Sequence, residues 1–162
     1  MKTLLLLLLL FPFTLFATPT DSSNEEESIK VVFDLTTKSL KKFERKILKA
    51  IVANKAHYEA TLKELDVTVV IHGEAYKFFL INPSDSIYSK ESDLIKSHKT
   101  LAKRIKSMVE NYNVEFLICE IGMTNHKIKK SDIYPFVKII PNSMIGLIDR
   151  QNEGYAYLPV GD

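Results

Sequence analysis

Three short segments constrain this chain more than anything else in it: SIKVVFDL (Ser28 to Leu35), DVTVVIHGEA (Asp66 to Ala75) and VEFLICEIG (Val114 to Gly122). Each holds a β-branched, apolar run that is not confined to one face. In the third, Val114, Phe116 and Ile118 point one way while Leu117 and Cys119 point the other. A strand that is apolar on both faces must be covered on both, which is the situation of a parallel sheet between helical layers.

The intervening segments supply those layers. Leu40, Phe43, Ile47, Ile51 and Leu62 fall near one helical stripe, with Lys41, Lys42, Arg45, Lys46 and Lys49 on other faces. SDLIKSHKTLAKRIKSMVENYN (Ser92 to Asn113) repeats the pattern with Leu94, Leu101, Ile105, Met108 and Tyr112 inward. AYKFFLI reads as a short helix broken by Pro83. YPFVKIIPNS contains a fourth strand around Phe136 to Ile140, Ser143 to Gln151 a short helix closed by Gly154, and YAYLPV a fifth strand. The alternation predicts an α/β fold, a three-layer α/β/α sandwich on a mostly parallel five-stranded sheet. Phe78, Phe79, Leu80 and Ile81 form a denser apolar stretch than one short helix needs, and part of it is expected to be buried between subunits.

The ends add a location. Lys2, the apolar run Leu4 to Phe16 and the small residue Ala17 form a secretory signal peptide over residues 1–17, too short to span a bilayer, which takes about 20 residues. Leu15 is bulky for its place before the cut, so an uncleaved anchor is the alternative. No cysteine follows Ala17 to take a lipid anchor. Residues 18–28, TPTDSSNEEES, are polar, acidic and aperiodic, a disordered leader. Residues 29–162 then make one exported domain, expected in the periplasm without a stable membrane anchor. The 22 basic and 20 acidic residues leave a net charge of +2, and the lysine-rich faces carry no stacking platform, which argues against a nucleic-acid partner.

An exported chain with a single cysteine poses a chemical question, because oxidising compartments pair thiols or dispense with them. Cys119 is either an inert core atom or a reactive one. It ends the third strand, and EIGMTNHKI looks like a turn into a short helix whose backbone N–H groups favour a thiolate. His72-Gly73 ends the second strand, and ligands of open parallel sheets gather at that edge. His72 there either caps a carbonyl beside a tight turn at Gly73 or tunes the thiol, helped by Lys127, Lys129 and Lys130. A lone thiol carries sulfur as a persulfide or forms a mixed disulfide. Hydrolysis by a Cys–His pair lacks a visible third member to orient the base. A metal set of Cys119, His72 and His126 has no recognised spacing, and no metal or cofactor is expected. His57 and His98 read as solvent-facing.

Four segments in order resemble the DsrE/DsrF-like family, including its YchN-like group: KVVFDLT, VVIHGEA, VEFLIC and VKIIPNSMIGLIDRQNEGYAYL, spanning about Lys30 to Leu158. Asn54 falls where many members carry asparagine. The resemblance implies a three-layer fold, assembly as a homotrimer or homohexamer, and a sulfur-relay role in which Cys119 accepts and passes on sulfane sulfur. It sets His72 and Gly73 at the border of the pocket and aligns Asn125 with a polar residue that follows the cysteine. Ser143, Gly146 and Arg150 depart from the family pattern and bear on the last helix and the subunit contact. The sequence thus predicts a periplasmic sulfur-trafficking protein with a sulfur donor or acceptor protein as partner. The alternative is a non-catalytic oligomeric small-ligand-binding protein whose cysteine is structural.

Overall fold

Strands β1 (Ile29–Leu35), β2 (Leu65–Ile71), β3 (Val114–Cys119), β4 (Lys138–Ile140) and β5 (Ala156–Val160) form one sheet in the order β4-β3-β2-β1-β5, every neighbouring pair parallel. The computed structural model describes residues 28–162, so the expected signal peptide and all but the last residue of the expected leader lie outside the described residues. No helix among the described residues is long and apolar enough to cross a membrane. The chain adds β1 to β4 in one direction, then returns across the sheet to lay β5 on the far side of β1.

The two faces of this sheet are covered unequally. On the first, Val31, Phe33, Leu35, Val67, Val69, Ile71, Phe116 and Ile118 pack in the main core cluster with residues of two long helices. Helix α1 (residues 40–59) is α-helical over Leu40–Phe43 and Ala50–Glu59, with a π-helical stretch Glu44–Lys49 between. The wide turn brings Ile47 and Leu48 inward together, alongside Phe43 and Ile51. Leu62, expected on the same stripe, lies beyond the helix end in a turn at φ 55° and is 91% exposed. Helix α2 (Ser92–Glu110) buries Leu94, Leu101, Ile105 and Met108 as its periodicity requires.

The segment expected as a helix at Ala75 to Ile81 is a 3₁₀ turn, Ala75–Phe79. Phe78, Phe79 and Leu80 are buried within the chain itself, and Ile81 is the exposed apolar residue of the stretch. Phe43 stacks on Phe78 at 4.4 Å between ring centroids and meets Phe79 edge-on at 5.7 Å. The three aromatic and aliphatic residues Phe78 to Leu80 thus belong to the core of one subunit.

The second face is covered by one helix after a short α3 (Glu120–Asn125), namely α4 (Ser143–Asn152), which packs across β1 to β4. Val32, Val70 and Leu117 form the small cluster beneath it, with Ile140, Leu147 and Tyr155 at the margin. Gly146 sets the closeness of the approach, since a Cβ there would stand 2.5 Å from Ile140 Cδ1. Arg150, one turn on, pairs with Glu115 and Glu153. Met144, Ile145 and Ile148 of the same helix remain exposed.

Candidate functional site

β3 delivers Cys119 to the carboxyl edge of the sheet, where it pairs with Ile140 of β4 and serves as the N-cap residue of α3. No turn separates strand from helix. Leu117 stays in the small second-face cluster, whereas Cys119 joins the large core cluster as the chain leaves the sheet. The sulfur therefore lies where both layers end. Asn142 caps the nearby α4, accepting from the Ile145 N–H at 2.9 Å, and so fixes where Ser143 starts that helix.

Burial pushes the Cys119 thiol up, but four polar groups pull it further down. The Gly122 N–H, the Tyr76 hydroxyl, and the N–H and hydroxyl of Ser143 favour the thiolate and hold the group below the ordinary cysteine range. His72 and the lysines at 127, 129 and 130 are not among these groups. The thiol is thus tuned by short-range donors from α3, α4 and the 3₁₀ turn, not by neighbouring side-chain charge.

Tyr76 is fully buried and donates to the Cys119 carbonyl at 3.0 Å. Burial first, then its contact with Cys119, raises its own ionisation far above the ordinary tyrosine value, so it remains a donor. Its hydroxyl reaches the strand end because position 122 is glycine: a Cβ there would stand 1.7 Å from that oxygen. His126 supports the ring from behind, 5.0 Å away between centroids, and its Nδ1 lies 2.9 Å from the Tyr88 hydroxyl.

His72 follows β2, and Gly73 at φ +60° begins a turn closed by the Ala75 N–H on the His72 carbonyl at 3.2 Å. A Cβ on Gly73 would meet Thr36 Cβ at 3.2 Å and Thr36 O at 3.3 Å, so both conformation and space call for glycine. The His72 side chain does not cap a carbonyl. Its Nε2 lies 2.5 Å from Asp34 Oδ1, and Asp34 Oδ2 accepts from the Tyr157 hydroxyl at 2.6 Å. The hydrogen bond from His72, with help from Tyr157, holds the Asp34 carboxyl below its ordinary value against the effect of burial.

Cys119, His72 and Gly73 thus share one edge, while Asn125 sits exposed at the far end of α3. Asn54 is also exposed. Of the two histidines expected to face solvent, His57 does; His98 is half-buried, its Nε2 3.0 Å from the Leu80 carbonyl and 3.1 Å from the Tyr134 hydroxyl. No group of three or more His, Cys, Asp or Glu side chains among the described residues is placed to hold a metal ion. Tyr76, Gly122, Ser143, Asp34 and Tyr157 were not singled out as site residues by sequence reasoning. Only Asp34 carries a signal, as a carboxylate near the end of an otherwise apolar strand.

A small parallel α/β domain with one polarised thiol at its strand ends defines the class. The chain belongs to the DsrE/DsrF-like family, whose model matches residues 21–160. It is 30% identical over 160 residues to an uncharacterized protein of Aquifex aeolicus (strain VF5), covering 94% of this chain and 61% of that protein. The chain therefore spans less than two thirds of that relative's length. The fold is shared with a solved structure, the protein of unknown function MTH1491 from Methanobacterium thermoautotrophicum. That match has a TM-score of 0.56 at 20% identity, covering 82% of this chain and 99% of that one.

Proposed function

We propose that this protein traffics sulfane sulfur, carrying it as a persulfide on Cys119. The observation that carries the reading is the set of donors around one sulfur: the Gly122 and Ser143 N–H groups with the Tyr76 and Ser143 hydroxyls. They favour a thiolate without any second cysteine. Membership in a family that generally serves sulfur relay supports the same chemistry. The thiolate attacks the outer sulfur of a donor persulfide, the donor's S–S bond breaks, and the donor departs as a thiol or thiolate. The reverse exchange delivers the sulfur to an acceptor. Since the chain has one cysteine, no intrachain disulfide can displace the cargo, and donor and acceptor are separate molecules.

The same reading places the mature chain in the periplasm, beginning near Thr18, as a homotrimer or homohexamer. The exposed Met144, Ile145 and Ile148 offer apolar surface for assembly. N-terminal sequencing and light scattering test these two points. Incubation with a sulfane donor followed by intact-mass analysis tests the chemistry. Wild type should gain one sulfur atom, lost again on reduction, and Cys119→Ser should gain none.

One observation favours a second reading, a small-ligand-binding oligomer with a packed thiol: Cys119 is only 5% exposed. A wild-type protein that gains no sulfur, and whose thiol resists alkylation until the chain unfolds, would transfer the case to that reading.

A further inference from the structure

The geometry points to Asp34 as the positioning residue that makes His72 the proton acceptor and donor for Cys119, with Tyr157 holding Asp34 in place. This rests on the sulfur-carrier reading of Cys119 and deepens it. Tyr157, Asp34 and Cys119 lie on β5, β1 and β3, and His72 directly follows β2, so the four come from neighbouring places along the sheet. The pairing of β2 with β3 ends at Ile71 and Ile118, so His72 and Cys119 each follow directly on neighbouring strands. Strands in a sheet lie about 4.8 Å apart, which sets the backbones of His72 and Cys119 side by side at this edge. On the other side, Asp34 pairs with Val70, two residues before His72, and meets the imidazole at 2.5 Å.

The chemistry of this pair is determined by what each atom can do. Asp34 is an acceptor, so His72 Nε2 carries the proton between them, which in the neutral ring leaves the lone pair on Nδ1. Tyr157 donates to the other carboxylate oxygen at 2.6 Å, which leaves Asp34 little freedom to turn away. The Asp34 side chain is 15% exposed and that of His72 28%, so the carboxylate is sheltered while the ring retains access to solvent and substrate. A nucleophile, a base and a carboxylate that orients the base then stand toward the carboxyl ends of β3, β2 and β1.

In sulfur loading, His72 Nδ1 takes the Cys119 thiol proton and the thiolate attacks the outer sulfur of a donor R–S–SH. The Cys119–sulfur bond forms, the donor S–S bond breaks, and the departing R–S⁻ recovers the proton from His72. The sum is Cys119–SH plus R–S–SH giving Cys119–S–SH plus R–SH, with no external oxidant or reductant.

The test measures two second-order rates on the full-length protein, alkylation of Cys119 by iodoacetamide and loading by glutathione persulfide. The ¹⁵N shifts of the His72 ring are recorded alongside, assigned with His72→Gln. Wild type should show the Nε2–H tautomer. Asp34→Asn should slow both rates at least about tenfold, less than the roughly hundredfold or more that a positioned base itself supplies, because Asp34 acts through His72. It should also disturb the tautomer, and Asp34→Glu should restore part of both. Tyr157→Phe should slow them a few-fold and fold normally. Wild-type rates in an Asp34→Asn protein of native circular dichroism, or an Nδ1–H tautomer in wild type, would overturn the inference. Should Asp34→Asn fail to fold, the wild-type spectrum and Tyr157→Phe decide. A wild type that alkylates with the predicted Asp34 dependence yet never takes up sulfur would instead refute the sulfur reading and leave the dyad standing.

Discussion

The two faces of the sheet differ in what their residues are asked to do. The first is a thick layer: two long helices and an aromatic 3₁₀ turn bury Phe43, Phe78, Phe79 and Phe116 against three strands. The second is one helix over three fully committed residues, Val32, Val70 and Leu117, with its other side left apolar and bare. The thick face supplies most of the burial that holds the domain together. The thin face leaves the strand ends open enough for a histidine and a carboxylate to remain partly wet. Stability and chemistry have been separated by layer, and Cys119 sits at the seam, tuned by donors from both.

Emptying the thick face should have the largest effect on the molecule. Phe43→Ala removes the ring that stacks on Phe78 and abuts Phe79. It should cost about 3–5 kcal/mol, read from urea unfolding. A loss under about 1 kcal/mol would mean that the thick layer is not the stabilising one. Next in size is Gly122→Ala at the seam. The added methyl lands on the Tyr76 hydroxyl. Overpacking of this kind should cost about 1–3 kcal/mol. It should also change the alkylation rate of Cys119, a coupling that a purely structural glycine would lack.

How far these roles could be read from the sequence follows the same division. The three central strands and α2 were legible because apolar runs and 3.6-residue periodicity are local signals, and both describe the thick face. Leu62 was misplaced because periodicity does not see a helix end; the chain turns at positive φ two residues after Ala60. Phe78 to Leu80 looked like surplus apolar surface because composition cannot tell a tight 3₁₀ turn in a core from an exposed helix. The thiol and His72-Gly73 were visible as strand ends. Their partners were not: Asp34 is 38 residues from His72, and Tyr157 is 123 from Asp34. Those contacts exist only once strand order and register bring β5, β1 and β2 side by side. The Tyr76 contact likewise depends on a missing Cβ at position 122.

A smaller effect separates the faces by pH. Asp34 has its folded carboxyl held below its ordinary value, chiefly by the His72 hydrogen bond. A depressed carboxylate contributes stability that is fully present above the unfolded value of about 3.9 and is lost as pH falls through the lower folded value. Asp34→Asn should therefore flatten the acid limb of a stability-against-pH curve, measured by thermal melts from pH 6 downward. An acid limb unchanged in the variant would show that the dyad contributes nothing to the fold. Smallest of all, Leu62→Ser should alter stability by no more than about 0.5 kcal/mol, since that side chain is outside both layers. A larger loss would place it in a contact that this chain makes with another molecule.

A thiol at the seam that is a reactive anion and not a packed hydrophobe shows itself in the pH dependence of Cys119 alkylation in the folded protein. With one cysteine in the chain, the whole signal comes from this group. Donation from Gly122, Tyr76 and Ser143 predicts a rate that rises through a midpoint below that of an ordinary thiol, measured on the same protein unfolded. A midpoint at or above that of the unfolded chain, or no alkylation until the protein unfolds, would make Cys119 a packed hydrophobe.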